Sequence, residues 1–311
     1  MKVVFHYAAG PALAARLAAL DGLEVTVCPE DDAAGFRAAM RGADVLWHVL
    51  SPCTAAVIEG APRLRLIQKI GVGVNTIDLA AAAARAIPVC NLPGTNAPAV
   101  AEMTLLLMLA ALRRLPAFDA ALRAGTWAAA PAVQDSLGEL GGRTVGLVGY
   151  GAVPRALAPV LRAMGCRVLY TARENRPDSP DECVDFWSLL AESDLVSLHL
   201  PLTPQTARLI DAAAIARMKP GAVLVNTARG GLVDQDALAA ALACGRLGAA
   251  GLDVFADEPA SADNPLFRLR NVVVTPHVAW LTTGTFDRSL ALAAENCRRL
   301  AAGEALLHRV Q

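Results

Sequence analysis

Three polar residues stand directly behind apolar runs in the second half of the chain: Arg229 in VLVNTARGGLVD, Glu258 in GLDVFADEP and His277 in VVVTPHVAW. Short apolar runs read as buried strands, and open α/β sheets present ligands beyond the carboxyl ends of their strands. An arginine, a carboxylate and a histidine are what reduction of a carbonyl beside a carboxylate requires. Arginine grips the carboxylate and carbonyl oxygens with its planar fork. Histidine gives a proton to the oxygen as hydride reaches carbon. Glutamate holds the imidazole in orientation. Taken singly, each also reads as a turn or surface residue. Glycines and prolines flank all three, however, and these shape loops at strand ends.

The strands that must carry them belong to the second of two αβ alternations. The first has strands at Lys2–Tyr7, Glu24–Cys28, Asp44–Leu50, Leu64–Ile70 and Val89–Leu92, with helices at Pro11–Ala19, Ala33–Arg41 and Ile77–Ala86. The second has strands at Thr144–Val148, Arg167–Tyr170, Leu195–His199, Ala222–Asn226, Gly248–Leu252 and Val272–Thr275. Such alternation implies mostly parallel sheets with helices on their faces, an α/β fold of two doubly wound domains. A Pro/Gly/Asn cluster at Asn91–Pro98 marks the boundary, before a long apolar helix from about Ala99 to Arg114. The last helix, Thr285–Ala302, packs back on the first domain in this reading. The domains are then 1–97 with 284–311, and 98–283.

The second alternation opens on TVGLVGYGAVPRALAPVLRAMGCRVLYTAR, Thr144 to Arg173. A strand ends in Gly149-Tyr150-Gly151, a helix follows, and a second apolar run closes the unit. Glycines at a strand end let the backbone approach a pyrophosphate, which the amides of the next helix then hold. Pro154 stands where the fingerprint has its third glycine; the first turn of a helix accepts proline because that N–H is not needed. Pro159, inside the same helix, predicts a local kink. The alternative is an ordinary βαβ crossover with a tight turn, but the strand–turn–helix–strand context favours a dinucleotide site.

At 311 residues two domains are the better expectation. A hydrophobic content of 55% with 18% charged residues excludes both a disordered chain and a membrane protein. The net charge of −1 gives no electrostatic reason to bind nucleic acid or an anionic membrane. Seven cysteines are scattered without a CxxC pair or metal-ligand spacing, so no metal is expected and the thiols read as reduced, in a cytoplasm.

Ordered blocks along nearly the whole chain resemble the D-isomer-specific 2-hydroxyacid dehydrogenase family, the group of phosphoglycerate, glycerate and formate dehydrogenases. They are KIGVGVNTIDLAAAAARAIPVCNLPGTNAPAVAE, VGLVGYGAVPRALA, HLPLTPQTARLI, MKPGAVLVNTARGGLVDQDALAAAL, GAAGLDVFADEP and NVVVTPHVAW. The resemblance implies a flavodoxin-like substrate domain and a Rossmann cofactor domain. It implies the triad roles for Arg229, Glu258 and His277, and a nicotinamide dinucleotide against Gly149, Gly151 and Pro154. Thr104, Ala152, Val153, Thr206, Thr227, Ala228, Asp253 and Ala279 match positions that line it, although Asp253 also reads as a simple turn acid. His199 is expected beside the ribose or as a satisfied structural histidine. Backbone amides around Val72 and Gly73 are expected to hold the substrate carboxylate, a task a Gly-Val-Gly loop suits; the alternative there is a plain tight turn. Ser51, just after a strand, is a further candidate for substrate contact.

Two departures from the family pattern sharpen the expectation. The acid that binds the ribose 2′-OH, about 20 residues beyond the glycines, is replaced by Ala172, followed by Arg173 and, close by, Arg176. With no carboxylate to repel a 2′-phosphate and two guanidiniums to pair with it, NADP(H) is expected in preference to NAD(H), as in the glyoxylate and hydroxypyruvate reductases that YTAR resembles. Solvated arginines are the alternative. Trp280, three residues beyond His277, either lines the side-chain end of the substrate pocket or is a core anchor. The Ala-Trp pair also occurs in the C-terminal-binding corepressors, so a dinucleotide-regulated binding protein is the competing function. The resemblance implies a small 2-keto or 2-hydroxy acid as substrate and a second copy of the chain as partner in a homodimer; the Ala99–Leu115 helix, apolar over more than one face, gives that partial support.

Overall fold

The structure, a computed structural model, describes residues 1–127 and 131–311. It divides into two compact units, Met1–Asn96 with Thr282–Gln311, and Ala97–Leu281. Both are built on wholly parallel sheets.

In the first unit the strands are β1 (Lys2–His6), β2 (Glu24–Cys28), β3 (Val45–His48), β4 (Leu66–Lys69) and β5 (Val89–Cys90), in the order β2-β1-β3-β4-β5. β3 and β4 are buried at every residue. Both faces of such a parallel sheet are covered, so even the polar His48, Gln68 and Lys69 of these two strands are buried. The C-terminal helix Thr283–Ala302 completes this unit. Its buried Asn296 donates to Gln68 Oε1 in β4 at 2.7 Å, and Phe286 meets Phe5 of β1 edge-on at 6.4 Å. Thr282 caps its first turn by accepting from the Thr285 amide, and Gly303 ends it at φ 70°.

The second unit has β6 (Thr144–Val148), β7 (Arg167–Thr171), β8 (Glu182–Cys183), β9 (Leu195–Leu198), β10 (Ala222–Asn226), β11 (Leu247–Leu252) and β12 (Val272–Val274). Their order is β12-β11-β10-β9-β6-β7-β8. The chain first builds outward from β6 to β8, then returns to β9 and builds the other way. β6 and β9 therefore flank the point where the winding reverses, which is where such sheets open a crevice for ligands. The glycine turn leaves β6 at that point.

Strand ends shift by a residue or two from the sequence expectation, as helix and strand termini do. β8 was not expected, because its two residues are both exposed and show no apolar signal. Helix Ala152–Ala163 runs unbroken past Pro159, which lies on its exposed side. The long helix Ala97–Arg113 buries Leu107, Met108, Ala111 and Leu112 against the second sheet but leaves Leu106 half exposed.

Candidate active site

β12 delivers His277 in an unusual backbone conformation, φ 57°, which few residues other than glycine adopt. Four hydrogen bonds and an indole hold it there. The His277 amide donates to the Asp253 carbonyl at 2.7 Å. Asp253, fully buried, spends both carboxylate oxygens on the same loop: Oδ1 accepts from the Thr275 hydroxyl at 2.6 Å and the Val278 amide at 2.9 Å, Oδ2 from the Ala279 amide at 2.9 Å. Burial pushes the Asp253 pKa up, and these donors partly offset it. From the other side Trp280 donates its Nε1–H to the His277 carbonyl at 3.1 Å. Trp280 is 8% exposed, so its ring is buried beside the loop that it bonds.

With its backbone fixed, His277 places Nδ1 2.6 Å from Glu258 Oε2. The other Glu258 oxygen accepts from the Phe255 amide at 3.0 Å. Burial raises the Glu258 pKa, but the bond to His277 and its charge outweigh this, so the carboxyl sits below its ordinary value. An ionised Glu258 can only accept, so Nδ1 carries the proton and Nε2 is left to exchange one with a ligand.

Arg229 follows β10, and its turn is shaped by Asn226. That buried side chain donates from Nδ2 to the Arg229 carbonyl at 2.9 Å and accepts from the Ala228 amide at 3.0 Å, an Asx-type turn. The glycine after Arg229 is required by packing: a Cβ on Gly230 would lie 1.9 Å from the Phe255 carbonyl carbon. The segment carrying Glu258 is thus laid against the segment carrying Arg229. Burial lowers the Arg229 pKa, and the Glu258 charge works against that. Sequence reasoning missed Asn226 and the Phe255 amide; the asparagine ending an otherwise apolar strand was the available signal.

At the crevice, Gly149 takes φ 96°, and a Cβ there would come within 2.6 Å of the His199 carbonyl oxygen. The start of helix Ala152–Ala163 is open: nothing lies within 4 Å of a Cβ built on Gly151. Ala152 is exposed, Val153 partly so and Pro154 buried. His199 Nε2 is buried without a hydrogen-bond partner among the described residues, and burial brings its pKa down to about 3. Thr104 and Thr227 meet through their hydroxyls at 2.9 Å. An orphaned ring nitrogen and an open helix N-terminus at the switch point fit a dinucleotide.

Other candidates are committed within the fold. The Thr206 hydroxyl donates to the Pro201 carbonyl at 2.7 Å and accepts from the Thr203 amide at 2.8 Å. The Ala228 and Ala279 amides are those already taken by Asn226 and Asp253. Beyond β7, Ala172 is partly buried, while Arg173 and Arg176 are exposed and their guanidiniums have no partner among the described residues.

The remaining candidates lie in the first unit. Asn91 Nδ2 donates to the Val72 carbonyl at 2.8 Å and the Leu92 amide to the Gly71 carbonyl at 2.8 Å. The Val72 and Gly73 amides have no acceptor among the described residues, the condition for receiving an anion. Ser51 is bonded to Glu30: its hydroxyl donates to Oε1 at 2.8 Å and its amide to the same oxygen at 3.2 Å.

Comparison with known proteins agrees with this geometry. Residues 105–279 match the family model described as D-isomer specific 2-hydroxyacid dehydrogenase, NAD binding domain. A D-3-phosphoglycerate dehydrogenase of Mycobacterium tuberculosis is 43% identical over 290 residues, 91% of this chain and 54% of that protein. The chain thus spans about half the length of this relative. A glyoxylate reductase of Thermococcus litoralis is 39% identical over 256 residues, 80% of this chain and 77% of that one. A crystal structure of a Thermus thermophilus protein superimposes with a TM-score of 0.89 at 38% identity, each chain covered in full. With the matching fold, cofactor-type crevice and relatives of this identity, the chain belongs to the D-isomer specific 2-hydroxyacid dehydrogenase family.

Proposed function

We propose that the chain is an oxidoreductase that moves a hydride between a nicotinamide cofactor, NADPH by preference, and a small 2-keto or D-2-hydroxy acid, in the manner of a glyoxylate or hydroxypyruvate reductase. The observation that carries this is the 2.6 Å His277–Glu258 pair with Arg229 beside Glu258. When bound, the reduced nicotinamide supplies the hydride to the keto carbon. His277 gives a proton from Nε2 to the keto oxygen, and Glu258 keeps the ring aligned while it does so. Arg229 sets positive charge where the oxygen gathers negative charge. Its burial strengthens that interaction by excluding water. The unpaired amides of Val72 and Gly73 take the substrate carboxylate.

The cofactor preference rests on Arg173 and Arg176, exposed after β7 with no acid at Ala172. The first unit serves as the substrate domain and the second as the cofactor domain. The enzyme works as a homodimer: Leu115 and Leu122, seven residues apart on the helix Leu115–Arg123 and so on one face of it, are each at least 50% exposed, an apolar face that a second copy would cover. All seven cysteines are free, in keeping with a cytoplasmic location. No helix among the described residues is long and apolar enough to cross a membrane. The test is a panel of 2-keto acids assayed with NADPH and with NADH. Glyoxylate or hydroxypyruvate should turn over with a higher kcat/KM for NADPH; a clearly higher value with NADH would overturn the cofactor preference.

A further inference from the structure

The stretch from Ala172 to Asp181, between β7 and β8, carries Arg173 and Arg176 and is fastened at two points by buried tyrosines. Tyr170 in β7 is fully buried. Its hydroxyl oxygen accepts from the Arg176 amide at 2.9 Å and its hydrogen goes to Asn175 Oδ1 at 2.8 Å. Tyr150, the residue between Gly149 and Gly151, stacks on Tyr170 with ring centroids 4.0 Å apart and planes at 25°. The Tyr150 hydroxyl donates to Asp181 Oδ2 and lies 2.9 Å from Ser179 Oγ.

Asp181 has a side chain 1% exposed, and Arg162 of helix Ala152–Ala163 pairs with it at 2.5 Å. The Ser179 amide donates to the Arg176 carbonyl at 2.9 Å, closing the turn between the two fastenings. A buried carboxylate is costly unless it is paired and hydrogen-bonded. Here a guanidinium and two hydroxyls satisfy it, so the network is complete and rigid. It also joins two parts of the crevice. The Gly149 amide donates to the Thr171 carbonyl at 2.9 Å, so the glycine turn and the start of the arginine-bearing loop lie side by side.

We propose that Tyr150, Tyr170 and Asp181 are positioning residues for recognition of a 2′-phosphate on the adenosine ribose: they lock the loop of Arg173 and Arg176 to the glycine turn. The inference rests on the NADP(H) preference proposed above. Long arginine side chains on a free loop lose much freedom on binding, and a loop already held loses less. Arginine–phosphate pairing is also directional, so it rewards a fixed backbone. The backbone of Gly149 and Gly151 and the first turn of the helix make no bond to either tyrosine hydroxyl, so removing a hydroxyl leaves the pyrophosphate end in place while loosening the arginine loop.

The experiment is calorimetric titration of the whole protein, without substrate, with adenosine 2′,5′-bisphosphate and with ADP. Tyr150→Phe and Tyr170→Phe keep the ring stack and remove one hydroxyl each. Each should weaken the bisphosphate about tenfold while ADP stays within about twofold. The double variant Arg173→Ala with Arg176→Ala should lose the bisphosphate preference altogether. If that double variant binds the bisphosphate as the wild type does, the cofactor reading fails and the lock with it. If the arginine variant loses the preference but both tyrosine variants keep it, the lock alone is overturned. Equal loss of both nucleotides in the tyrosine variants also overturns it, since the hydroxyls would then support the crevice as a whole.

Discussion

Asp253 fixes His277 twice over: its carbonyl takes the His277 amide at 2.7 Å, and its carboxylate takes the Thr275 hydroxyl and the Val278 and Ala279 amides on either side. The left-handed conformation of His277 survives because neighbours on both sides of the loop determine it. Replacing the carboxylate with an amide turns one acceptor into a donor that faces an N–H. Asp253→Asn should therefore cost about 1–3 kcal/mol of stability and lower kcat at least about tenfold through misplacement of the ring. Urea unfolding and steady-state kinetics measure the two effects. Wild-type values for both would show that the carboxylate does not hold the loop.

Trp280 acts on the same backbone from the other side. With its indole buried and its N–H given to the His277 carbonyl, it is expected to support the His277 loop rather than to select the substrate. Trp280→Phe should lower kcat several-fold and stability by about 1 kcal/mol while leaving the rank order of short and bulky 2-keto acids unchanged. A reordered series would return Trp280 to the pocket wall.

Two buried histidines give stability a dependence on pH. Burial, aided by the nearby Lys69 charge, brings His48 to about 3, and burial alone brings His199 to about 3. Unfolded histidine titrates near 6.5, so above that pH both states are neutral. Between 6.5 and about 3 the unfolded chain takes up protons that the folded chain refuses, and stability falls as the pH falls. His199→Leu removes one such proton and should flatten the slope by up to about 1.4 kcal/mol per pH unit. Urea titrations of the wild type and variant at pH steps from 7 down to 5 would show it. Parallel curves would mean that His199 is protonated in the folded state.

Arg229, Glu258 and His277 stood out as candidates because each follows an apolar strand within a few residues, and a strand end is a local feature. The parallel two-domain fold was legible for the same reason: buried strands such as β6 and β10 announce themselves as largely apolar runs. What stayed hidden depends on partners distant in sequence. Nothing near Tyr150 in the chain foretells its bond to Asp181, and nothing near Asp253 foretells that it grips residues 275–279. Trp280 left two readings open because a tryptophan suits a pocket wall and a core alike, and its bond to the His277 carbonyl could not be foreseen from its neighbours in sequence. Ser51 looked available after its strand, but Glu30, on a different loop, takes its hydroxyl.

The central claim is that His277, aligned by Glu258, supplies the proton for 2-keto acid reduction. The most direct measurement is kcat for hydroxypyruvate reduction with NADPH, in the wild type and in His277→Ala. Loss of a positioned general acid should lower kcat about 10²–10⁴-fold with only a modest change in KM. A His277→Ala enzyme with near-normal kcat would contradict the account.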